Sequence, residues 1–167
     1  MTARILVAGV GNIFLGDDGF GSEVAHQLVV QAGTEIGHDD VRVVDYGIGG
    51  MHLAYDLLDA WDALVLVDAI PGRGTPGMLH VFQADHDGEC GATGLDAHSM
   101  DPQTVFASLR ALGGNPPYTV IVGCEAGSVE EHLGLSEPVA AAVPRAVRAV
   151  HRIVAALQNS APAEQEC

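Results

Sequence analysis

The chain has 167 residues, 48% of them hydrophobic and 21 of them glycine, a composition that suits one globular domain large enough to bury a proper core. Its 22 acidic and 7 basic side chains leave a formal net charge of -15, which repels nucleic acid and anionic lipid and excludes polyanions as partners. No apolar run approaches the roughly 20 residues that span a bilayer. The first such run is cut short by Gly9, Gly11 and Asn12, so neither a membrane span nor a signal-peptide body is expected, and a cytoplasmic location is. Cys90, Cys124 and Cys167 lie far apart and form no C-x-x-C pair, so reduced thiols are expected and thiolate metal ligands are not.

In chain order, strand-like runs alternate with helical patterns. Residues 4–10 are an apolar run that predicts a first strand, and 19–30 place Phe20, Val24 and Leu28 four apart on one helical face. A second strand is predicted over 41–46, and a helix over 50–61 with Met51, Leu53, Leu57, Leu58 and Trp61 as its stripe. The most apolar run, 63–70, predicts the third strand and completes βαβαβ. After Asp68 the stretch PGRGTPG leads directly to a strand at 78–83. With no crossover helix between, that strand is expected antiparallel and at an edge.

Residues 84–97 form a polar, glycine-rich loop long enough to suggest function. A helix is then expected from Ser99 or Asp101 as N-cap, with Pro102 in its first turn, to about Leu112. A fifth strand follows over 118–124, and Ser136 caps a last helix that Pro144 should kink or break. The pattern predicts one α/β domain over residues 1–158, with a frayed tail over 159–167.

The stretch GVGNIFLGDDGFG, from Gly9 to Gly21, has the glycine density of a nucleotide loop. It fails both nucleotide templates. Phe14 stands where the dinucleotide fingerprint needs its third glycine, and Asp17 and Asp18 stand where a phosphate loop needs lysine and hydroxyl. Two carboxylates would repel the phosphate. One of them, Asp17 for preference, reads as an N-cap of the following helix, which leaves the other to point out of the loop.

A second carboxylate, Asp68, ends the apolar run LVLVDAI, where an unpaired buried charge costs several kcal/mol on the order given for isolated ions. If the strand order is 2-1-3 at this point, Asp18 and Asp68 face one crevice at the carboxyl ends of the strands. His98 closes the long loop and is placed to return to the same edge. His26, His38, His52, His80 and His151 read as surface or packing residues, and the acidic run Asp85 to Asp87 as a solvated loop. Cys124, at the end of an apolar strand, reads as core.

These residues together resemble the hydrogenase maturation endopeptidases, the proteases that trim the large subunit of nickel-iron hydrogenases. The resemblance rests on GVGNIFLGDDGFG, on DYGIGGMHL at 45–53, on LVLVDAI at 64–70, on AHSM at 97–100 and on VGCEAGSVEEHLGLSEPV at 122–139. It implies a three-layer α/β/α sandwich (phosphorylase/hydrolase-like) on a five-stranded, mostly parallel sheet with one antiparallel strand. It also implies that Asp18, Asp68 and His98 contact nickel. Two positions depart from the common pattern: some members carry glutamate where Asp18 stands, and many carry threonine where Ile48 stands.

The resemblance further implies a substrate, the hydrogenase large-subunit precursor, whose own thiolates already carry nickel. A set of two carboxylates and one imidazole suits a divalent first-row ion and leaves coordination positions open, so the enzyme alone should hold the metal weakly. Cleavage would remove a C-terminal peptide. Either Asp18 or Asp68 is a candidate general base, with nickel polarising the carbonyl or with the two carboxylates sharing a proton. Asp45, Gly47, Gly49 and Gly50 are expected to line the crevice and place the peptide. A monomer is expected. The rival readings are a peptidase with its own paired metals, an acidic nickel carrier and, last, a nucleotide-binding module.

Overall fold

The computed structural model describes residues 2–35, 40–84 and 101–160. Among the described residues ten elements follow one another: β1 Ile5–Val10, a 3-10 turn Gly16–Gly19, α1 Phe20–Glu35, β2 Val41–Gly47, α2 Gly50–Asp56, β3 Ala63–Ile70, β4 Leu79–Gln83, α3 Pro102–Ala111, β5 Tyr118–Glu125 and α4 Glu137–Asn159. The strands form one sheet in the order β2-β1-β3-β5-β4. All neighbours are parallel except β4, which runs antiparallel to β5 at the edge, as the missing crossover requires.

Burial follows this order. Every residue of β1 is buried, and so is all of β3 but its last residue, whereas the edge strands β2 and β4 are only partly covered. Alternation along the strands builds two cores. Val7, Val65 and Val67 pack with Phe20, Val24 and Leu28 of α1 and with Val143 and Val147 of α4. On the other face Leu6, Leu64 and Leu66 pack with Leu53 of α2 and with Val105, Phe106 and Leu109 of α3. Each such fully buried side chain contributes about 1.5–3 kcal/mol. The result is the expected α/β/α sandwich.

Three local expectations change. The helix predicted over 50–61 ends at Asp56, because Trp61 is not part of its stripe: the indole Nε1 donates to the Asp56 carbonyl at 2.8 Å and the ring lies under Arg4. Pro144 does not interrupt α4, which runs from Glu137 to Asn159. Ala140, whose carbonyl loses its amide partner, faces solvent, and the buried Val139, Val143 and Val147 hold the helix to the sheet. The third change concerns Asp17 and belongs to the site. Among the described residues no helix is long and apolar enough to cross a membrane. His98, Ser99, Cys90, the run Asp85 to Asp87, most of the loop 84–97 and most of the tail lie outside the described residues.

Candidate active site

Two glycines set the position of the site. A Cβ on Gly21 would lie 2.2 Å from the Val67 carbonyl oxygen and 2.3 Å from that of Val10, and one on Gly9 would lie 2.3 Å from the Gly21 oxygen. The first turn of α1 therefore rests against the ends of β1 and β3 more closely than any side chain permits. Gly21 thus does the close-packing work that a nucleotide fingerprint assigns to the position held by Phe14. The loop before it folds back, with the Asn12 amide donating to Asp18 Oδ2 at 2.9 Å.

This folding carries Asp18 over the carboxyl edge of the sheet. Asp68 reaches the same place from β3, on the face shared with Leu64 and Leu66 and level with Gly123 of β5. Both carboxylates are almost wholly buried, with exposures of 4% for Asp18 and 3% for Asp68. Among the described residues Asp68 Oδ1 has no hydrogen-bond partner. Burial, reinforced by the charge of Asp18 and then by that of Asp101, holds the Asp68 carboxyl well above the usual carboxylate range against the opposing Ala69 amide. A buried acidic oxygen without a donor, beside a second carboxylate, is a donor set suited to a cation.

Asp101 was foreseen only as a cap. It is the N-cap of α3, its carboxylate accepting from the Gln103 amide at 3.0 Å and the Thr104 hydroxyl at 3.3 Å, and its charge also reaches Asp68. Among the described residues no group of three or more His, Cys, Asp or Glu side chains is arranged to hold a metal ion.

Asp17 does not cap the helix that follows it. Its carboxylate accepts from the amides of Gly127 at 2.7 Å, Ser128 at 3.0 Å and Ser136 at 2.6 Å, and from the Ser136 hydroxyl at 2.8 Å. It therefore fixes the segment between β5 and α4. Burial works to raise its pKa, but the Ser128, Ser136 and Gly127 donors win and hold it below the ordinary value. The same two segments are also stitched by the Gly16 amide on the His132 carbonyl, 2.8 Å, and the His132 amide on the Phe14 carbonyl, 3.0 Å.

Asp45 lies at the same edge with its carboxylate engaged: Oδ1 accepts from the Ser22 hydroxyl at 2.8 Å and the Gly47 amide at 2.9 Å. Gly47 has a positive φ of 55° and its carbonyl accepts from the Gly11 amide, so the GIGG loop is tied to the first glycine loop. Gly49 is the N-cap of α2 and Gly50 its first residue. Cys124 is buried, and burial followed by the charge of Asp17 pushes its thiol up to about 11, which suits a core residue and not a nucleophile.

One pair escaped the sequence reading. His80 Nε2 lies 2.9 Å from the buried Glu125 carboxylate, which also accepts from the Arg73 amide at 2.7 Å. These contacts, the histidine first, hold Glu125 below the usual carboxylate range and pin the loop that follows β3. The available signal was a charged residue ending an apolar strand, the same signal that singled out Asp68. A groove of about 490 Å³ between α1 and α4, lined by residues such as Gln27, Gln31, Val143 and Val147, includes none of these groups.

Comparison with known proteins agrees with this fold. The chain is 31% identical over 158 residues to the hydrogenase 2 maturation protease of Escherichia coli strain K12, covering 94% of this chain and 92% of that one. It is 31% identical over 152 residues to the coenzyme F420 hydrogenase subunit delta of Methanothermobacter thermautotrophicus, covering 89% and 92%. The solved structure of the hydrogenase maturating endopeptidase HybD from E. coli superimposes with a TM-score of 0.75 at 31% identity, over 94% of this chain and 93% of that one. The family model described as hydrogenase maturation protease matches residues 23–153.

Fold and relatives define an α/β/α endopeptidase. The chain belongs to the hydrogenase maturation protease family.

Proposed function

We propose that this protease removes the C-terminal extension of a nickel-iron hydrogenase large-subunit precursor after nickel has been inserted, and that it recognises the nickel the precursor carries. The observation that carries the reading is the buried Asp68 carboxylate, one oxygen of which meets no donor among the described residues, with the charge of Asp18 acting on it. Such a pair is destabilised in an empty crevice and relieved by an incoming cation. Asp18 and Asp68 would contact the nickel, and His98 would complete the set. The nearness of Asp101, which follows His98 by three positions, to Asp68 supports that assignment.

In this reading the nickel enters as part of the substrate, and the enzyme retains little of it alone, since three monodentate ligands hold an ion less well than a closed four-ligand site. The chain's own residues keep the crevice acidic and close the peptide backbone around it. A carboxylate of the pair takes the proton from the attacking water. Asp45 and the glycines Gly47, Gly49 and Gly50 hold the neighbouring wall against which the extension lies. The protein would act as a monomer in the cytoplasm, where the precursor is assembled.

The test is to incubate the protein with nickel-loaded and nickel-free precursor and follow the loss of mass. Cleavage of the loaded form alone is expected. Equal cleavage of both would remove nickel from the recognition, and cleavage of neither would remove the assigned activity.

A further inference from the structure

The loops around the carboxylate crevice hold large apolar side chains out in water. Among the described residues, the three most exposed large apolar side chains are Ile48 at 71%, Leu133 at 66% and Phe14 at 63%. Each sits on a different loop of the same sheet edge: after β2, after β5 and after β1. Ile13 and Val129, each about half exposed, extend the surface.

These loops are fixed. The Phe14 amide donates to Asn12 Oδ1 at 2.9 Å, the Phe14 carbonyl accepts from His132 beside Leu133, and the Gly11 amide donates to Gly47 beside Ile48. The side chains are therefore held in water by a bonded framework while two well-filled cores lie beneath them. Apolar side chains gathered at one place in this way mark an interaction surface.

We propose that this rim is the surface by which the protease grips the folded body of its precursor, through apolar side chains flanked by basic ones on the partner. The inference rests on the proteolytic reading above and adds to it the chemistry of the contact. Glu130 and Glu131 are exposed between Val129 and Leu133, and the whole chain carries a net charge of -15. A second copy of this chain would set like charges face to face, and an anionic membrane would be repelled in the same way. An apolar centre with a charged border matches a protein partner of opposite sign.

The experiment compares wild type with a Phe14→Ser/Leu133→Ser variant and a Glu130→Lys/Glu131→Lys variant, each checked for an unchanged circular dichroism spectrum and melting temperature. Precursor affinity and processing kinetics are both measured. The apolar variant is expected to raise Kd and KM about tenfold with kcat within about twofold, the pattern of lost uniform binding. The charge variant should show a smaller loss that shrinks at high salt. Unchanged Kd and KM in the apolar variant would overturn the proposal. So would a concentration-dependent dimer of the wild type that the apolar variant abolishes, because the rim would then join two copies. Wild-type protein that binds the precursor without cutting it would end the proteolytic reading, and the variant's affinity would still decide the docking surface. Wild-type protein that does not bind it would overturn the surface as well.

Discussion

Asp17 and Asp18 are adjacent and both almost wholly buried, yet they stand in opposite surroundings. On the Asp17 side, three amides and one hydroxyl meet a single carboxylate and lower its pKa. Glu125 at the end of β5 is served in a similar way by His80 and Arg73. On the Asp18 side lies Asp68, with an oxygen that no donor among the described residues meets and a pKa driven up by burial and by Asp18 itself. One region uses buried charge to hold the fold together. The other holds a buried carboxyl group that its described surroundings serve poorly, the kind of local inconsistency that marks functional sites.

Substitutions should separate the two regions by what they lose. The largest effect is expected from Asp18→Ala or Asp68→Asn on processing, a fall of at least about a hundredfold in kcat/KM, the scale at which positioned acid–base groups act. Mass spectrometry of the loaded precursor reads it, and near-wild-type processing would contradict the division. Next, Asp17→Asn should lower stability by about 3 kcal/mol or more, because several donors lose a charged acceptor worth about 1.5–3 kcal/mol each. A denaturant midpoint shared with wild type would show that those bonds hold nothing.

The smallest effect carries the opposite sign. Because the folded pKa of Asp68 is raised, its contribution to stability is present below the ordinary value of 3.8 and lost as pH rises through the folded pKa. Asp68→Asn should therefore stabilise the metal-free protein by about 1 kcal/mol at neutral pH, the low end of the cost of an unsatisfied buried group. The gain should shrink as pH falls and wild-type Asp68 takes up its proton. For Asp17, whose folded pKa is lowered, the stability is present above 3.8 and lost as pH falls through the folded value. Melting curves across pH would sharpen the contrast, and parallel curves for the two variants would break it.

The sheet was legible because its strands differ so plainly in hydrophobicity, and β4 because a short connection leaves an antiparallel edge as its outcome. Asp18 and Asp68 stand out in the sequence for two electrostatic reasons: adjacent carboxylates in a glycine loop exceed what one helix cap needs, and a carboxylate at the end of a buried strand needs an explanation that a surface one does not. The role of Asp17 was not. Its donors, Gly127, Ser128 and Ser136, lie more than a hundred positions away, and local reasoning assigns a cap to the nearest helix. Trp61 misled for a similar reason, since its spacing fits a helical stripe while its indole closes the end of that helix. Glu125 and His80 became a pair only once β4 had been set against β5.

The central claim is that burial and the charge of Asp18 hold the Asp68 carboxyl well above the ordinary carboxylate range, and that a divalent cation would draw it into its ionised form. Carboxyl-carbon NMR of the metal-free protein across pH, repeated with millimolar zinc as a diamagnetic probe, measures this directly. The account predicts an Asp68 resonance that titrates well above 3.8 without metal and takes the ionised position at lower pH with it, the response being lost in Asp18→Asn. An Asp68 that titrates in the ordinary range and ignores the cation would contradict it.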